Sequence, residues 1–321
     1  MRILVTGGAG FIGSHLCERL LTQGHTVTAI DNLSTGRASN LETLAGLSSF
    51  TLVEGSILDT NILNPLIANA DFVFHLAAAV GVFNIVNNPL ASLLTNIRGT
   101  ENVLEAAHLT KTPVFLTSSS EVYGKNVSDS LKESDDRVLG SPVTLRWSYS
   151  EAKAIDESLA YAYFVEKHLE TRIVRFFNTV GPRQLGAYGM VVPRFVKAAL
   201  ANEPITIYGD GKQTRCFAHV YDVVDAVVAV AFAENTIGKV INIGNDFEIS
   251  INGLAKKIIN ETGSKSEIVY VPYAEAYGEG FEDMERRVPN IDLINQLVGW
   301  KPNRDLSTMI ADISVEMEKS S

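Results

Sequence analysis

Tyr149-Ser150-Glu151-Ala152-Lys153 sets a phenol and an ammonium four residues apart, hence on one face of any helix that spans them. A phenol that titrates near ~10 is a poor base at neutral pH. A neighbouring lysine favours the phenolate, which then serves as a base for a hydroxyl group. Alone, such a pair reads equally as decoration on a solvated helix. Its meaning comes from Thr117-Ser118-Ser119-Ser120-Glu121, at the end of a strand pattern and so near the same cleft. A second constellation lies at Gly7-Gly8-Ala9-Gly10-Phe11-Ile12-Gly13. Gly7, Gly10 and Gly13 allow a tight turn, close approach of backbone to a pyrophosphate, and close helix–strand packing. The helix that follows offers free N–H groups and a partial positive charge to that anion. Asp31, ~20 residues further on, stands where an acid accepts hydrogen bonds from an adenosine ribose. A carboxylate there repels a 2′-phosphate, so NAD is expected rather than NADP, with Arg37 close enough to soften the preference.

These residues need a scaffold, and the first half of the chain supplies one. Ile3–Val5, Thr26–Ile30, Phe50–Glu54, Phe72–Leu76, Val114–Ser118 and Arg172–Phe176 read as buried strands, each preceded, after the first, by a helical stretch such as Ser14–Gln23, Asn96–Leu109 or Ser148–Lys167. Strand–helix alternation with uninterrupted apolar strands predicts a doubly wound α/β domain with a parallel sheet. From Gly181 onward, prolines punctuate shorter elements, and the charged segment Glu275–Arg287 reads as a loop. A helix at Val220–Ala233 and a strand at Lys239–Ile243 return to the sheet in this reading. Residues 1–177, with 220–245 returning, then form one domain; 178–219 and 246–321 form a smaller, mixed lobe. A ligand between the two would sit at the carboxyl ends of the strands.

Composition excludes several alternatives. Of the 321 residues 27 are Lys or Arg and 37 are Asp or Glu, a formal charge of −10. That balance speaks against sequence-independent nucleic-acid binding, which needs a broad basic surface. Cys17 and Cys216 cannot form a disulfide framework, and the six histidines show no metal-ligand spacing, so no metal is expected. The chain runs directly into a strand, and its longest apolar stretch, Val223 to Ala233, is far short of a membrane span. A soluble, cytoplasmic protein is the expectation.

Together these motifs resemble the extended short-chain dehydrogenase/reductase family, in its nucleotide-sugar branch, and the resemblance covers essentially the whole chain. It is carried by TGGAGFIGSH at the N-terminus, Asp31-Asn32-Leu33, His75-Leu76-Ala77-Ala78, Thr95-Asn96, the serine strand, and the Tyr149/Lys153 pair. Arg175-Phe176-Phe177-Asn178-Thr179-Val180-Gly181-Pro182-Arg183 and Tyr208-Gly209-Asp210-Gly211 extend it. The resemblance implies a Rossmann-type doubly wound sheet with a mixed α/β C-terminal substrate lobe, NAD as cofactor, and a homodimer packed through Asn96–Leu109 and Ser148–Lys167. It makes Tyr149 the base, has Lys153 hold the nicotinamide ribose, and has Ser119 bind the hydroxyl being oxidised. Cofactor contacts carried over with it are Gly7, Gly10, Phe11, Ile12, Gly13, Asp31, Asn32, Ser56, Ile57, Leu76, Ala77, Ala78, Asn96, Ser118, Tyr149 and Lys153. At Gly55-Ser56-Ile57 the chain departs from many members, which carry an acid there that touches adenine. The nucleotide diphosphate falls to Asn178, Arg183, Val191, Val192, Arg215 and Arg287, since guanidinium forks suit phosphate oxygens. The alternative for Arg286-Arg287 is solvated charge beside Glu282, Asp283 and Glu285.

The reaction is narrowed by Ser119-Ser120-Glu121-Val122-Tyr123-Gly124. Glu121 stands where the decarboxylases and 4,6-dehydratases of this branch carry a glutamate, but Ser120 replaces the aspartate with which the dehydratases protonate a departing hydroxyl. Gln213 to Phe217 and Arg286 to Ile291 are similar to segments of UDP-glucuronate decarboxylases. The resemblance therefore implies UDP-glucuronate decarboxylation through a 4-keto sugar, giving UDP-xylose or its 4-keto form, with Ser120, Glu121 and Arg215 placing the carboxylate and managing the proton at C5. UDP-glucuronate or UDP-glucose 4-epimerisation is the alternative, sharing nearly every residue. A non-catalytic NAD-binding protein and a small-carbonyl reductase stand further off, because Tyr149 and Lys153 are both present and the C-terminal part is locally basic. Trp147, Phe83 and Tyr188 are candidates to line the region around C5 and C6, or else to lie in the core.

Overall fold

The computed structural model describes residues 1–81, 88–186, 190–273, 275, 284 and 286–319. The apolar runs form seven strands: β1 (Arg2–Thr6), β2 (Thr26–Asp31), β3 (Phe50–Glu54), β4 (Phe72–His75), β5 (Val114–Ser119), β6 (Thr171–Phe176) and, much later, β11 (Val240–Ile243). They form one sheet in the order β3-β2-β1-β4-β5-β6-β11, and every pairing is parallel. Side chains alternate between two cores. Ile3 and Val5 of β1 join Leu16 and Leu20 of α1 (Phe11–Thr22) and Val223 and Val227 of α6 (Val220–Phe232). Leu4, between them, faces Leu63 of α2 (Thr60–Ala68), Leu104 of α3 (Pro89–Thr110) and Ala160 of α4 (Ser148–Lys167). Burial on both faces is why the strands read as unbroken apolar runs. Strand order reverses between β1 and β4, and a crevice opens there at the carboxyl ends.

The connection from β2 to β3 departs from the expected alternation. It holds a 3₁₀ helix, Ala38–Leu44, in place of an α-helix. Its first residues are committed to a turn: the Asp31 carboxylate accepts from Leu33 N–H at 2.8 Å, Asn32 accepts from Ser34 N–H, and Arg37 N–H donates to the Ala9 carbonyl.

After β6 the chain leaves the sheet. β7 (Thr179–Val180) pairs in parallel with β10 (Ala218–His219), β8 (Ile205–Tyr208) in parallel with β13 (Ile268–Val271), and β9 (Thr214–Cys216) antiparallel with β12 (Glu248–Ser250). Helices α5 (Val191–Leu200), α7 (Ile251–Thr262) and α9 (Leu306–Lys319) bury Phe195, Leu254, Ile258 and Met309 in a separate core. α8 (Asp292–Val298) returns Ile294 to the core shared by α1 and α6. Asp222, in the first turn of α6, accepts from the backbone of Asn303 and Arg304 and pairs with the Arg304 guanidinium, fastening the sheet unit to the segment before α9. Among the described residues no helix is long and apolar enough to cross a membrane, and no cluster of His, Cys, Asp and Glu is arranged to hold a metal ion.

Candidate active site

A cleft of about 780 Å³ opens at the carboxyl ends of the strands, walled by the sheet on one side and by the second core on the other. Its floor is the turn between β1 and α1. A Cβ on Gly13 would lie 2.1 Å from the Gly7 carbonyl oxygen, so the helix can approach the strand this closely only without a side chain. A Cβ on Gly10 would meet only the Gly7 oxygen, at 3.1 Å, and would otherwise project toward the cleft. The first turn of α1 carries no acid, and its N-cap, Gly10, has no side chain to satisfy the helix N–H groups. An anion is therefore the partner this turn is shaped for. Asp31 is buried at the end of β2 with its oxygens on Leu33 N–H and, at 2.9 Å, Ala9 N–H. Burial pushes its carboxyl above the usual range, partly countered by those N–H groups. A dinucleotide fits this cradle.

Tyr149 and Lys153 occupy the first two turns of α4. The buried Lys153 ammonium donates to the Thr117 carbonyl at 3.0 Å and to Asp156 Oδ2 at 3.1 Å. Burial raises the Asp156 carboxyl, and the lysine partly restores it. The lysine charge is thus already matched by an anion. Burial first, then the charges of Glu121 and Asp156, hold the Tyr149 phenol above its ordinary range. Burial and these two carboxylates therefore oppose the phenolate that a base at this position requires.

Glu121 lies in a 3₁₀ turn, Ser120–Tyr123, directly after β5. Ser119 Oγ accepts from Glu121 N–H at 3.2 Å, and Ser150 Oγ of α4 donates to the Glu121 carbonyl at 2.7 Å. The carboxylate receives Arg146 Nη1 on one oxygen at 2.6 Å and Arg287 Nη1 on the other at 2.7 Å; Arg287 also reaches Ser120 Oγ at 3.3 Å. Burial works to raise this carboxyl, but the two guanidiniums outweigh it and bring it down to about 2. Arg146 lies over the Trp147 ring, 5.3 Å from its centroid, and Trp147 is itself fully buried and does not line the cleft. Phe83, Tyr188 and most of the segment Glu275–Arg287 lie outside the described residues. Arg287 is buried against Glu121, not solvated.

Opposite the sheet, Asn178 donates to the Cys216 carbonyl at 2.9 Å, and Arg215 of β9 is buried, with Nη1 on the Thr214 carbonyl at 2.8 Å. Val191 and Val192 begin α5. Arg183 is turned toward α1, donating to Ser14 Oγ at 3.2 Å and Glu18 Oε1 at 2.6 Å. The residues assigned from sequence to catalysis, cofactor and nucleotide diphosphate all line this one cleft except Asn96. Asn96 is buried behind it, accepting from Ala79 N–H at 2.7 Å and donating to the Ala79 carbonyl at 3.3 Å, so it shapes the loop after β4 and does not face the cavity. Sequence reading missed Arg146, Gln213 and Tyr273. Gln213 donates to Tyr273 Oη at 2.9 Å on the cleft wall.

The sheet order, glycine cradle, ribose-facing acid and Tyr–Lys helix define a dinucleotide-dependent enzyme that handles protons and hydride at a hydroxyl-bearing carbon. Residues 3–244 match the NAD dependent epimerase/dehydratase family, and the chain belongs to it. NAD is its cofactor. The chain is 43% identical over 303 residues to the UDP-N-acetyl-alpha-D-glucosaminuronate decarboxylase of Bacillus cytotoxicus, covering 94% of this chain and 93% of the relative. It is 38% identical over 302 residues to UDP-glucuronic acid decarboxylase 1 of Xenopus tropicalis, covering 94% and 68%. The structure of UDP-glucuronic acid 4-epimerase from Bacillus cereus, in complex with UDP-glucuronic acid and NAD, superposes with a TM-score of 0.90 at 30% identity, covering 100% of both chains.

Proposed function

We propose that the chain decarboxylates a UDP-hexuronate through oxidation at C4, with UDP-glucuronate as substrate and UDP-xylose or its 4-keto form as product. The observation that carries this reading is Glu121 held between Arg146 and Arg287 in the cleft that Tyr149 lines. Guanidinium forks gathered at one point of the cleft suit a sugar carboxylate. Glu121 occupies one donor of each fork, so the incoming carboxylate is bound without being locked in place and can leave as CO₂. Because Glu121 stays ionised at neutral pH, it acts by orienting Arg287 toward the carboxylate, while Ser120 helps to place that carboxylate and the proton at C5, and Arg215 serves both the carboxylate and the nucleotide diphosphate.

Bound NAD⁺ supplies the hydride acceptor and a cationic ring that favours the phenolate. Ser119 binds the C4 hydroxyl, Tyr149 takes its proton, and Lys153 fixes the ribose beside them. The C4 ketone is β to the C6 carboxylate. The C5–C6 bond then breaks with its electrons flowing into the ketone, and a proton returns to C5. We assign the dinucleotide to residues 1–177 with 220–245 and the UDP-sugar to 178–219 with 246–321, and we infer a homodimer paired through α3 and α4.

The decarboxylases at 43% and 38% identity support this reading, and they divide over C2, where one substrate carries an N-acetyl group. The Bacillus cereus neighbour supports 4-epimerisation as the second reading: the same ketone, turned over and reduced on its other face without loss of CO₂. The test is incubation of the protein and NAD⁺ with UDP-glucuronate and, in parallel, UDP-N-acetylglucosaminuronate, read by mass spectrometry and proton NMR. Loss of the mass of CO₂ is expected, and the faster substrate identifies C2. An unchanged mass with a new anomeric signal would make the chain a 4-epimerase. Bound NAD that never cycles with any UDP-sugar would leave a non-catalytic binder.

A further inference from the structure

Two arginines reach the cleft from different elements, Arg215 from β9 and Arg287 from the segment after residue 285, and a third arginine that does not line the cleft connects them. Arg286 donates Nε to Glu248 Oε1 and Nη2 to Glu248 Oε2, each at 2.8 Å, a two-point fork on one carboxylate. Its Nη1 donates to the Asp129 carbonyl, and the Asp129 carboxylate lies 3.6 Å away. Glu248 also accepts from Thr214 Oγ1. It opens β12, where Glu248 stands opposite Cys216 and Ile249 opposite Arg215. On the other side, Leu131 N–H donates to the Val288 carbonyl and Asn290 N–H to the Leu131 carbonyl, both at 2.8 Å, so the Arg287 segment is sewn to the same loop that carries Asp129.

We propose that Arg286 and Glu248 form a latch that fixes the separation of Arg215 and Arg287, which makes Arg286 and Glu248 positioning residues for the groups that hold the two ends of the nucleotide sugar. The inference rests on the functional reading above, in which Arg215 and Arg287 contact substrate. Arg286 is 41% exposed, and a pair that exposed adds little to stability. A two-point fork nevertheless fixes direction as well as distance, which a lysine in its place does not. A shift on the order of 1 Å at a substrate-positioning group lowers turnover ~10²-fold. The latch therefore predicts a large kinetic effect with a small thermal one.

The experiment compares Arg286→Gln, Glu248→Gln and the double variant with the unmodified protein. Expected for each single variant is a rise in KM for UDP-hexuronate and a fall in kcat for CO₂ release of about tenfold or more. NAD affinity should stay within about twofold, and the melting temperature within about 2 °C. The double variant should cost no more than either single, because the two side chains act as one device. Additive losses, or unchanged kinetics in both singles, would overturn the latch. Affinity for UDP alone, measured by calorimetry, separates this failure from failure of the functional reading. If the unmodified protein releases no CO₂, the decarboxylase reading falls, while weaker UDP binding in the variants still supports the latch through Arg215 and unchanged UDP binding rejects it.

Discussion

Glu121 divides its two oxygens between Arg146 and Arg287, and each of the three side chains is buried or nearly so. Removing the anion takes a counter-charge away from two neighbouring guanidiniums. Breaking a buried pair in this way costs about 3 kcal/mol or more. Glu121→Gln should therefore lower the melting temperature and cut CO₂ release at least about a hundredfold, as expected when a charge-assisted contact at the reacting group is lost. The same substitution has an opposite effect one step earlier. Glu121 is among the charges that hold the Tyr149 phenol above its ordinary range, so its removal lets the phenol ionise more readily. In rapid-mixing experiments the acidic limb of transient NADH formation should move to lower pH in Glu121→Gln, even as CO₂ release falls. A variant that is merely destabilised would leave that limb where it was, and a limb moving to higher pH would contradict the electrostatic account.

What could be read from sequence at the level of elements was whatever chemistry imposes as local spacing. The glycine turn must fall between strand and helix, Asp31 at the end of the next strand, and Tyr149 and Lys153 four apart on one helix, so each was legible. Arg146 was not. Its partner is 25 residues away, and that partner's other guanidinium 166 residues further on. The available signal was its place three residues before Tyr149, and a charged residue beside Trp147 reads equally as surface. Asn96 was nominated by motif, but helix geometry turns it toward Ala79 and not toward the cleft. The 3₁₀ segment between β2 and β3 was read as a helix because side-chain turn bonds at Asp31 and Asn32 leave no periodic trace. The helix α4, by contrast, keeps the bounds its sequence pattern predicts, whereas α3 begins at Pro89, seven residues before the expected Asn96, and the outer faces of both carry a prediction. Leu90 and Leu109 of α3 and Ile155, Tyr161 and Val165 of α4 are exposed apolar side chains on two helices packed together. Sedimentation equilibrium should find a dimer, and Tyr161→Glu with Val165→Glu should weaken its association about a hundredfold or more, since two charges would have to be desolvated in the interface. A monomeric unmodified protein at micromolar concentration would reject the pairing.

At the scale of the whole molecule, the protein is held together across its junctions by histidines that must stay neutral. His75 in β4 bonds Thr6 Oγ1 of β1 at 2.8 Å and Thr100 Oγ1 of α3 at 3.2 Å, and burial, reinforced by the nearby Lys153 charge, brings its pKa down to about 3. His15 of α1 bonds the Pro182 carbonyl at 3.1 Å, across from sheet unit to second core, and burial lowers it to about 4. His219, capping α6 and 3.2 Å from Asp312 of α9, is lowered by burial as well, although Asp312 opposes the shift. Each of these rings refuses in the folded state a proton that it accepts near pH 6.5 once unfolded. Below that pH the unfolded chain binds more protons, so stability is fully present above about 6.5 and declines as pH falls toward 4 and 3. Each histidine contributes up to about 1.4 kcal/mol per pH unit in that window. Glu121 works in the same direction at lower pH, its contribution fading between 4.5 and about 2. The raised carboxyls of Asp31 and Asp156 oppose it, taking up protons in the folded state from their raised values down to the ordinary carboxylate value. From pH 7.5 to 5 His15 and His75 alone should lower stability by about 4 kcal/mol, before any offset from those carboxyls. Calorimetric unfolding at pH 5.5 in buffers of different ionisation enthalpy should register uptake of about two to three protons. A denaturation midpoint that stays flat from pH 7.5 to 5 would mean that these rings are not buried neutral, and that the junctions they occupy open in solution.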